Sequence, residues 1–549
     1  MKKIIVIALL LSGVYANAQL RVGVESNSQY YLDDNKIKID SLEAENRFRS
    51  NTYIKADYQV NYFEFGAQLE GYLPKAILNY NPELEGMNLG TVYARYNNYE
   101  KGIDITLGHF YEQFGSGLPL RFWEDRALGL NNALFGGRIK YNFNDYANIT
   151  VLGGKQRLGF GFDLSEGLVY GAEVNVNISN ILEEDNYNLV FGTSYVGRYE
   201  DLTNEEPLVN KTTDVWSSRL DFSTDKFNFN IEYSYKTPDV VVENATIFPD
   251  KKLYGNAFLA NLGFNNNGFG VNVNLRRLQN FSFYSERSNT GNIYNVGSIN
   301  YIPALTKQYD HALQNIYVYQ AQPQYIYYAR KKMGEIGGQV DLYYEIPENT
   351  FFGGEYGANI NVNGSYWAGL KTDNNIEEQK LETDFFAFGE KYYRDFAVEY
   401  RRKFSNSFTS IFSYLNQYYN REYVEDSYGE INAHTVAAEG TYFFSETKSM
   451  RLELQHQWAD YGRKNWAGGT IEFTPNPTWS LFVHDIYNYG SDEENEKLHY
   501  YSIGGAFSRG ATRVAASYGR QRGGIMCVGG VCRYVPESAG FSLSLTTNF

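Results

Sequence analysis

From Gly540 to Phe549 apolar and polar residues alternate: Phe541, Leu543, Leu545 and Phe549 fall on one face with Thr547, while Gly540, Ser542, Ser544, Thr546 and Asn548 fall on the other. The same period of two recurs along the chain. Phe63, Phe65, Ala67 and Leu69 oppose Glu64, Gln68 and Glu70; Phe227, Phe229, Ile231, Tyr233 and Tyr235 oppose Asn228, Asn230, Glu232, Ser234 and Lys236. Phe269, Val271, Val273 and Leu275 oppose Gly270, Asn272, Asn274 and Arg276; Met450, Leu452, Leu454 and Trp458 oppose Arg451, Glu453, Gln455 and Gln457. A period of two marks β-strands. Few segments are apolar enough to form a core covered on both faces, so lipid is the partner left for the apolar rows and a wet lumen for the polar ones. The pattern predicts an all-β chain closed into one large antiparallel transmembrane β-barrel. Its last strand, ending in an aromatic residue, makes Phe541, Leu543, Leu545 and Phe549 the expected signal for the barrel-assembly machinery during insertion.

Connections give a second test. Tight turns are expected near Gln59–Asn61, Asn97–Lys101, Asn144–Asp145, Thr224–Asp225, Asn265–Gly268, Asn406–Ser407, Glu446–Lys448, Pro475–Pro477 and Arg509–Gly510. Longer connections alternate with them: Asp33–Glu43, Pro74–Gly86, Tyr111–Asn132, Glu200–Asn210, Ser285–Lys332, Lys371–Lys391, Glu422–Glu430 and Ser491–Lys497. Short periplasmic turns and long external loops alternate in this way, and the count gives about 24 strands, range 20–26, with both termini periplasmic.

Residues 1–18 read as a secretory signal peptide: Met1-Lys-Lys, an apolar run from Ile4 to Leu11, then Ala16-Asn-Ala18. The barrel is expected to occupy 19–549, its first strand starting at Leu20 with no plug domain before it and no periplasmic domain after Phe549. No later stretch approaches the ~18–20 apolar residues of a spanning helix. Loss of Lys2 and Lys3 leaves a net charge near −17. That balance, with no basic stripe, argues against nucleic acid. Fifty Tyr and 36 Phe suit membrane-interface girdles, with outer-membrane lipids as the surrounding partner.

Three segments break the two-residue period. Gly108–Asn132 gathers Glu112, Arg121, Glu124, Asp125 and Arg126 beside Phe110, Tyr111, Phe114, Phe122 and Trp123. Arg–carboxylate pairs can hold such a loop inside a wet barrel without a dry core, so it is the candidate lumen constriction; an external loop packed on itself is the alternative. Gly115-Ser-Gly117 lacks the strand-to-helix context of a phosphate loop. Residues 285–332 carry Tyr294, Tyr301, Tyr309, Tyr317, Tyr319, Tyr325, Tyr327 and Tyr328, too aromatic for disorder. A short helix with extended pieces is expected there, capping or entering the barrel mouth; packing is favoured over ligand binding. In Cys527-Val-Gly-Gly-Val-Cys532 the glycines suit a two-residue hairpin turn. Cys527 would then oppose Cys532 within disulfide range in an exported protein; a two-Cys metal site would lack a nearby His and further ligands.

No catalytic, cofactor-binding or metal residues are assigned, and no enzyme activity is expected. Of the six histidines, His456 falls on the outward row, and His484 and His499 in polar surroundings. A Ser116–His109 pair has no third group. Ser491–Glu496 lacks calcium-loop spacing.

Glu25-Ser-Asn-Ser-Gln-Tyr-Tyr31, Phe110-Tyr-Glu-Gln-Phe-Gly-Ser-Gly-Leu118, Glu124-Asp-Arg126, Leu128–Ala133, Ile302-Pro-Ala-Leu-Thr-Lys-Gln308 and Gly523–Pro536 resemble the landmarks of an uncharacterised outer-membrane β-barrel family of Bacteroidota. The likeness runs from near residue 20 to the end. It implies a fold and a location, and names no substrate and no catalytic residue.

The function expected is a channel or gated pore for polar solutes, narrowed by inward loops. The alternative is a non-conducting barrel serving as a structural or accessory subunit of a larger outer-membrane complex.

Overall fold

The computed structural model describes residues 18–40, 42–78, 84–202, 209–243, 245–324, 332–375, 380–528 and 531–549. Twenty-four antiparallel strands form one sheet in which each pairs with its neighbours along the chain, and the last, Ser538–Asn548, pairs with the first, Ala18–Tyr31. The barrel is therefore closed, and no edge is left to pair with another chain. The strand count agrees with the alternation of short and long connections. The signal peptide expected over 1–18 falls almost wholly outside the described residues.

One end of the barrel carries the tight connections, among them 61–62, 144–146, 224–226, 267–268, 406–407, 446–447, 477–478 and 510–511. Two further connections on this side are longer: 178–187, which holds the helical turn Ile178–Ile181, and 347–357. Ala18, opposite Val60, and Phe549, bonded to Val22, lie on this same side. The other end carries the long connections. The span Lys371–Lys391, expected as a loop, is instead the paired top of a tall hairpin of Ala358–Asn375 with Lys380–Ser405. Its returning arm contacts the outer wall, where Thr383 Oγ1 accepts from Arg277 Nη2 (2.7 Å) and the Phe385 ring lies 4.6 Å from that guanidinium. These contacts to a distant strand let a polar stretch remain paired.

The two rows of each strand separate as the alternation requires. Phe63 and Phe65 are 48% and 46% exposed, whereas Gln68 and Glu70 on the opposite face of the same strand are 1% exposed. Large outward side chains gather at two levels. Phe143, Phe227, Tyr442, Trp479 and Phe549 lie near the tight turns; Tyr30, Trp216, Tyr235, Tyr366, Trp458 and Phe541 lie toward the long connections. Phe227 and Tyr235, like Phe541 and Phe549, are separated by about 26 Å along a strand at ~3.3 Å per residue. Close strand approach sets some outward packing: Gly197 lies beneath the Tyr170 ring, where a Cβ would come within 2.5 Å.

The buried core is inside the cylinder. Phe110, Phe114, Leu118, Leu120 and Phe122 pack with Phe281, Phe283 and Ile299 against wall residues Val169, Val196, Val215 and Leu278. A second cluster joins Tyr317 and Tyr319 to Trp367, Tyr393 and Tyr419. Both use residues near the long-connection end of their strands, so the lumen is filled on that side.

Candidate functional site: segments folded inside the barrel

Residues 111–133 form two miniature hairpins, Glu112–Phe114 with Leu120–Phe122 and Glu124–Asp125 with Leu130–Asn131. Gly115 and Gly117 (φ +54° and +98°) make the first turn. Its exposed amides meet carboxylates on the wall: Gly115 N donates to Glu173 Oε1 (2.7 Å) and Ser116 N to Glu232 Oε2 (2.9 Å). A Cβ on Gly115 would fall 2.6 Å from Glu232 Oε1, so this approach requires glycine. At the other end Arg126 donates to Glu25 Oε2 (2.7 Å) on the first strand, Gln68 Oε1 (2.9 Å) and Glu124 Oε1 (3.3 Å). A segment tied to Ala18–Tyr31 at one end and Phe227–Glu243 at the other is a chord across the cylinder.

The remaining residues singled out from the sequence lie along this chord. Glu112 Oε2 meets Arg138 (3.3 Å) and Lys140 (2.6 Å) on the adjacent strand. Arg121 lies over the rings of Trp123 and Tyr301, at 4.7 and 3.8 Å. Asp125 Oδ1 accepts from Leu128 N (2.9 Å), Tyr111 OH donates to Asn131 Oδ1 (3.1 Å), and Phe110 is buried.

The second internal segment, 280–333, pairs with the first. Tyr301 N donates to Gly117 O (2.9 Å) and Arg121 N to Ile299 O (2.7 Å). Where a short helix was expected, its described residues carry two short 3₁₀ turns, Thr290–Tyr294 and Ala312–Asn315. Both of its roots are anchored by buried charge. Near the start, Arg287 pairs with Glu200 and donates from Nε to Asp239 Oδ1 (3.0 Å), and Arg198 donates to Asp239 Oδ2 (2.6 Å). Near the end, Glu335 accepts from Arg276 Nε (3.0 Å), Gln322 N (2.8 Å) and the Tyr319 hydroxyl. The middle crosses to the far wall and is held largely by neutral groups. Leu313 N donates to Gln455 Oε1 (2.8 Å), Gln457 Nε2 to Leu313 O (2.9 Å), and Gln417 Nε2 to Tyr317 O (3.0 Å). Burial pushes the Tyr317 hydroxyl up to about 12 and raises those of Tyr309 and Tyr319.

Space remains beside the seam. Two cavities, about 320 and 720 Å³, lie against the inner faces of Ala18–Tyr31, Trp479–Asn488, Thr512–Gln521 and Ser538–Asn548. They share Gln29, Ser517 and Ser542; the larger is also lined by Glu25, Arg126 and Glu472.

Other candidates resolve differently. His109 and Ser116 do not form a pair: His109 Nε2 lies 2.7 Å from Gly161 O and Nδ1 against Val92, on the outer side under Phe135 and Phe162. His456 faces outward as expected, 2.7 Å from Tyr489 OH; His484 lies inside on Thr470 Oγ1 (2.9 Å), and His499 pairs with Asp485 (2.8 Å). Gly524–Val528 and Val531–Val535 do form a hairpin with Cys527 opposite Cys532. The two cysteine side chains lie outside the described residues, so the expected bridge has no support here. Arg198, Glu200, Asp239, Arg287 and Glu335 were not singled out from sequence. The available signal was a charged residue on a polar row, as at Arg276, but its partner lies far along the chain.

A family model described as "Family of unknown function (DUF6029)" matches residues 1–549. No curated protein matches the chain. Solved structures that are similar include the translocation pore of the P pilus usher PapC, 8% identical over 96% of this chain and 99% of that one, TM-score 0.43. The siderophore receptor PirA from Pseudomonas aeruginosa is 9% identical over 98% and 81%, TM-score 0.41. A BenF-like porin from Pseudomonas fluorescens Pf-5 is 8% identical over 83% and 97%, TM-score 0.35.

Proposed function

We propose that this chain, which belongs to the DUF6029 family of unknown function, is an outer-membrane gated pore for small polar solutes, with its tight turns and both termini periplasmic. The two aromatic levels and the apolar band between them support the membrane setting. The observation that carries the pore reading is the pair of seam-side cavities, which share Gln29, Ser517 and Ser542 and are lined by hydroxyl, amide and charged groups. Together they trace a lane along the wall beside the seam, lined by polar and apolar groups alike, with Arg126 of the first internal segment on the larger cavity. Glu25, Arg126, Glu472 and Arg513 along the larger cavity offer both signs of charge, which suits polar or zwitterionic solutes better than a simple anion or cation.

Planar-bilayer recording tests this. The wild-type protein should give small unitary currents that Ser517→Trp or Ser542→Trp reduces, and a deletion within 302–316 should widen the pore. Silence from both wild type and deletion would overturn the pore reading.

The buried ion pairs at both roots of the 280–333 segment favour a second reading, a permanently filled accessory barrel. In that case the deletion stays closed, and the protein co-purifies with a larger outer-membrane complex.

A further inference from the structure

The deepest part of the second internal segment brings His311 against the wall strands Glu430–Ser445 and Lys448–Ala459, where Glu439 and Glu453 project inward. One donor atom from each of His311, Glu439 and Glu453 lies within 4.8 Å of the other two. His311 is 2% exposed. Its Nδ1 is 3.0 Å from Gln314 Oε1, which leaves Nε2 as the atom facing the carboxylates. That nitrogen has no hydrogen-bond partner. The nearest carboxylate oxygen, Glu439 Oε2, is 3.5 Å away and already accepts from Arg451 Nη1 at 2.7 Å.

The charges do not balance. Arg451 is shared among three carboxylates, Glu439 (2.7 Å), Glu453 (2.9 Å) and Glu472 (2.8 Å). Arg401, the next cation, is committed to Glu399 and Asp310. With a neutral imidazole the three carboxylates and Arg451 leave two net negative charges, and of the carboxylates Glu439 and Glu453 are the enclosed ones while Glu472 is half exposed. Glu472 also lines the larger cavity, so the cluster has a wet route of entry. Imidazole nitrogen with carboxylate oxygen is a donor set for zinc and neighbouring transition ions rather than for magnesium or calcium. Donors around zinc stand about 3.4 Å apart, so the three groups would close by up to about 1.4 Å, within reach of side-chain adjustment.

We infer that His311, Glu439 and Glu453 form a divalent transition-metal site that latches the internal segment to the barrel wall, with water completing the coordination. The site stands whether or not the barrel conducts.

The test is titration of the purified full-length protein in detergent with Zn²⁺, followed by calorimetry, and with Co²⁺, followed by its visible absorption. One equivalent should bind, with a Co²⁺ spectrum of low coordination number, and Mg²⁺ at the same concentration should not compete. His311→Ala and Glu439→Gln should each weaken binding at least tenfold, while His434→Ala, on the outer wall, should leave it unchanged. Hydrogen exchange at 309–317 should slow on adding Zn²⁺ in the wild type only. Absence of saturable binding, or binding equally tight in His311→Ala, would overturn the site. The two variants act on different elements, so misfolding of one leaves the other decisive.

Discussion

Val22 and Phe549 exchange both of their backbone hydrogen bonds, Phe549 N to Val22 O at 2.8 Å and Val22 N to Phe549 O at 3.2 Å. The seam is thus secured at its very end, and the Phe549 ring, 78% exposed, stands outward at the turn-side aromatic level. Removing Phe549 takes away two bonds of about 1 kcal/mol net each together with the ring that lipid would solvate. The expected outcome is a severalfold smaller folded fraction, read as the heat-modifiable band on electrophoresis of isolated membranes. Phe549→Trp should retain assembly.

Arg287 lies between Glu200 and Asp239 with all three groups buried. Arg287→Ala leaves Glu200 without its close partner, while Arg198 still holds Asp239. Stranding one buried charge of a pair costs roughly 3–5 kcal/mol, and the retained Arg198 places the cost at the low end. Limited proteolysis should open within 285–300 in the variant, and Arg287→Ala/Glu200→Gln should recover part of the loss.

The middle of the same segment is held mainly by amide-to-backbone bonds, each contributing about 1 kcal/mol. Gln455→Ala and Gln457→Ala should therefore release it while the roots stay closed. In the wild type, amides at 309–317 should exchange faster than those at 281–300; the reverse order would mean that the internal segment is anchored from its centre.

Alkali provides a different lever. Tyr317 is pushed up to about 12 by burial, and Tyr309 and Tyr319 are raised as well, against an ordinary value near 10 in the unfolded chain. A raised folded value means the stabilisation is complete below pH 10 and is lost as pH climbs from about 10 toward 12. Ultraviolet absorbance at the tyrosinate band should show a late-titrating class in that window, accompanied by loosening of 301–319. Early titration of every tyrosine would contradict the packing described.

The outer packing can be tested at Gly197, where a Cβ would come within 2.5 Å of the Tyr170 ring. Gly197→Ala must displace that ring, at a cost of about 1–3 kcal/mol typical of overpacking. The change should appear as a lower unfolding midpoint without loss of assembly.

Barrel architecture was legible in the sequence because alternation is a local property. A strand whose two faces meet unlike surroundings must alternate, so Phe227 to Lys236 or Phe541 to Phe549 declares its faces without reference to any other residue. Tight turns between such strands fix their number and succession, and antiparallel pairing of successive strands then follows. Where the rule failed, as at Lys371–Lys391, a polar stretch stayed paired because Thr383 and Phe385 found Arg277 on another strand.

What the lumen holds was decided only by the tertiary structure. The sequence marked Phe110–Asn132 and Ser285–Lys332 as departures from alternation. It could not show that Gly115 reaches Glu232, that Arg287 finds Glu200, or that His311 meets Glu439 more than a hundred residues further on. Such pairs depend on barrel closure, which brings strands distant in the chain to face one another across a confined polar space. A carboxylate on a polar row reads the same in sequence whether it faces water or a guanidinium, and only closure determines which.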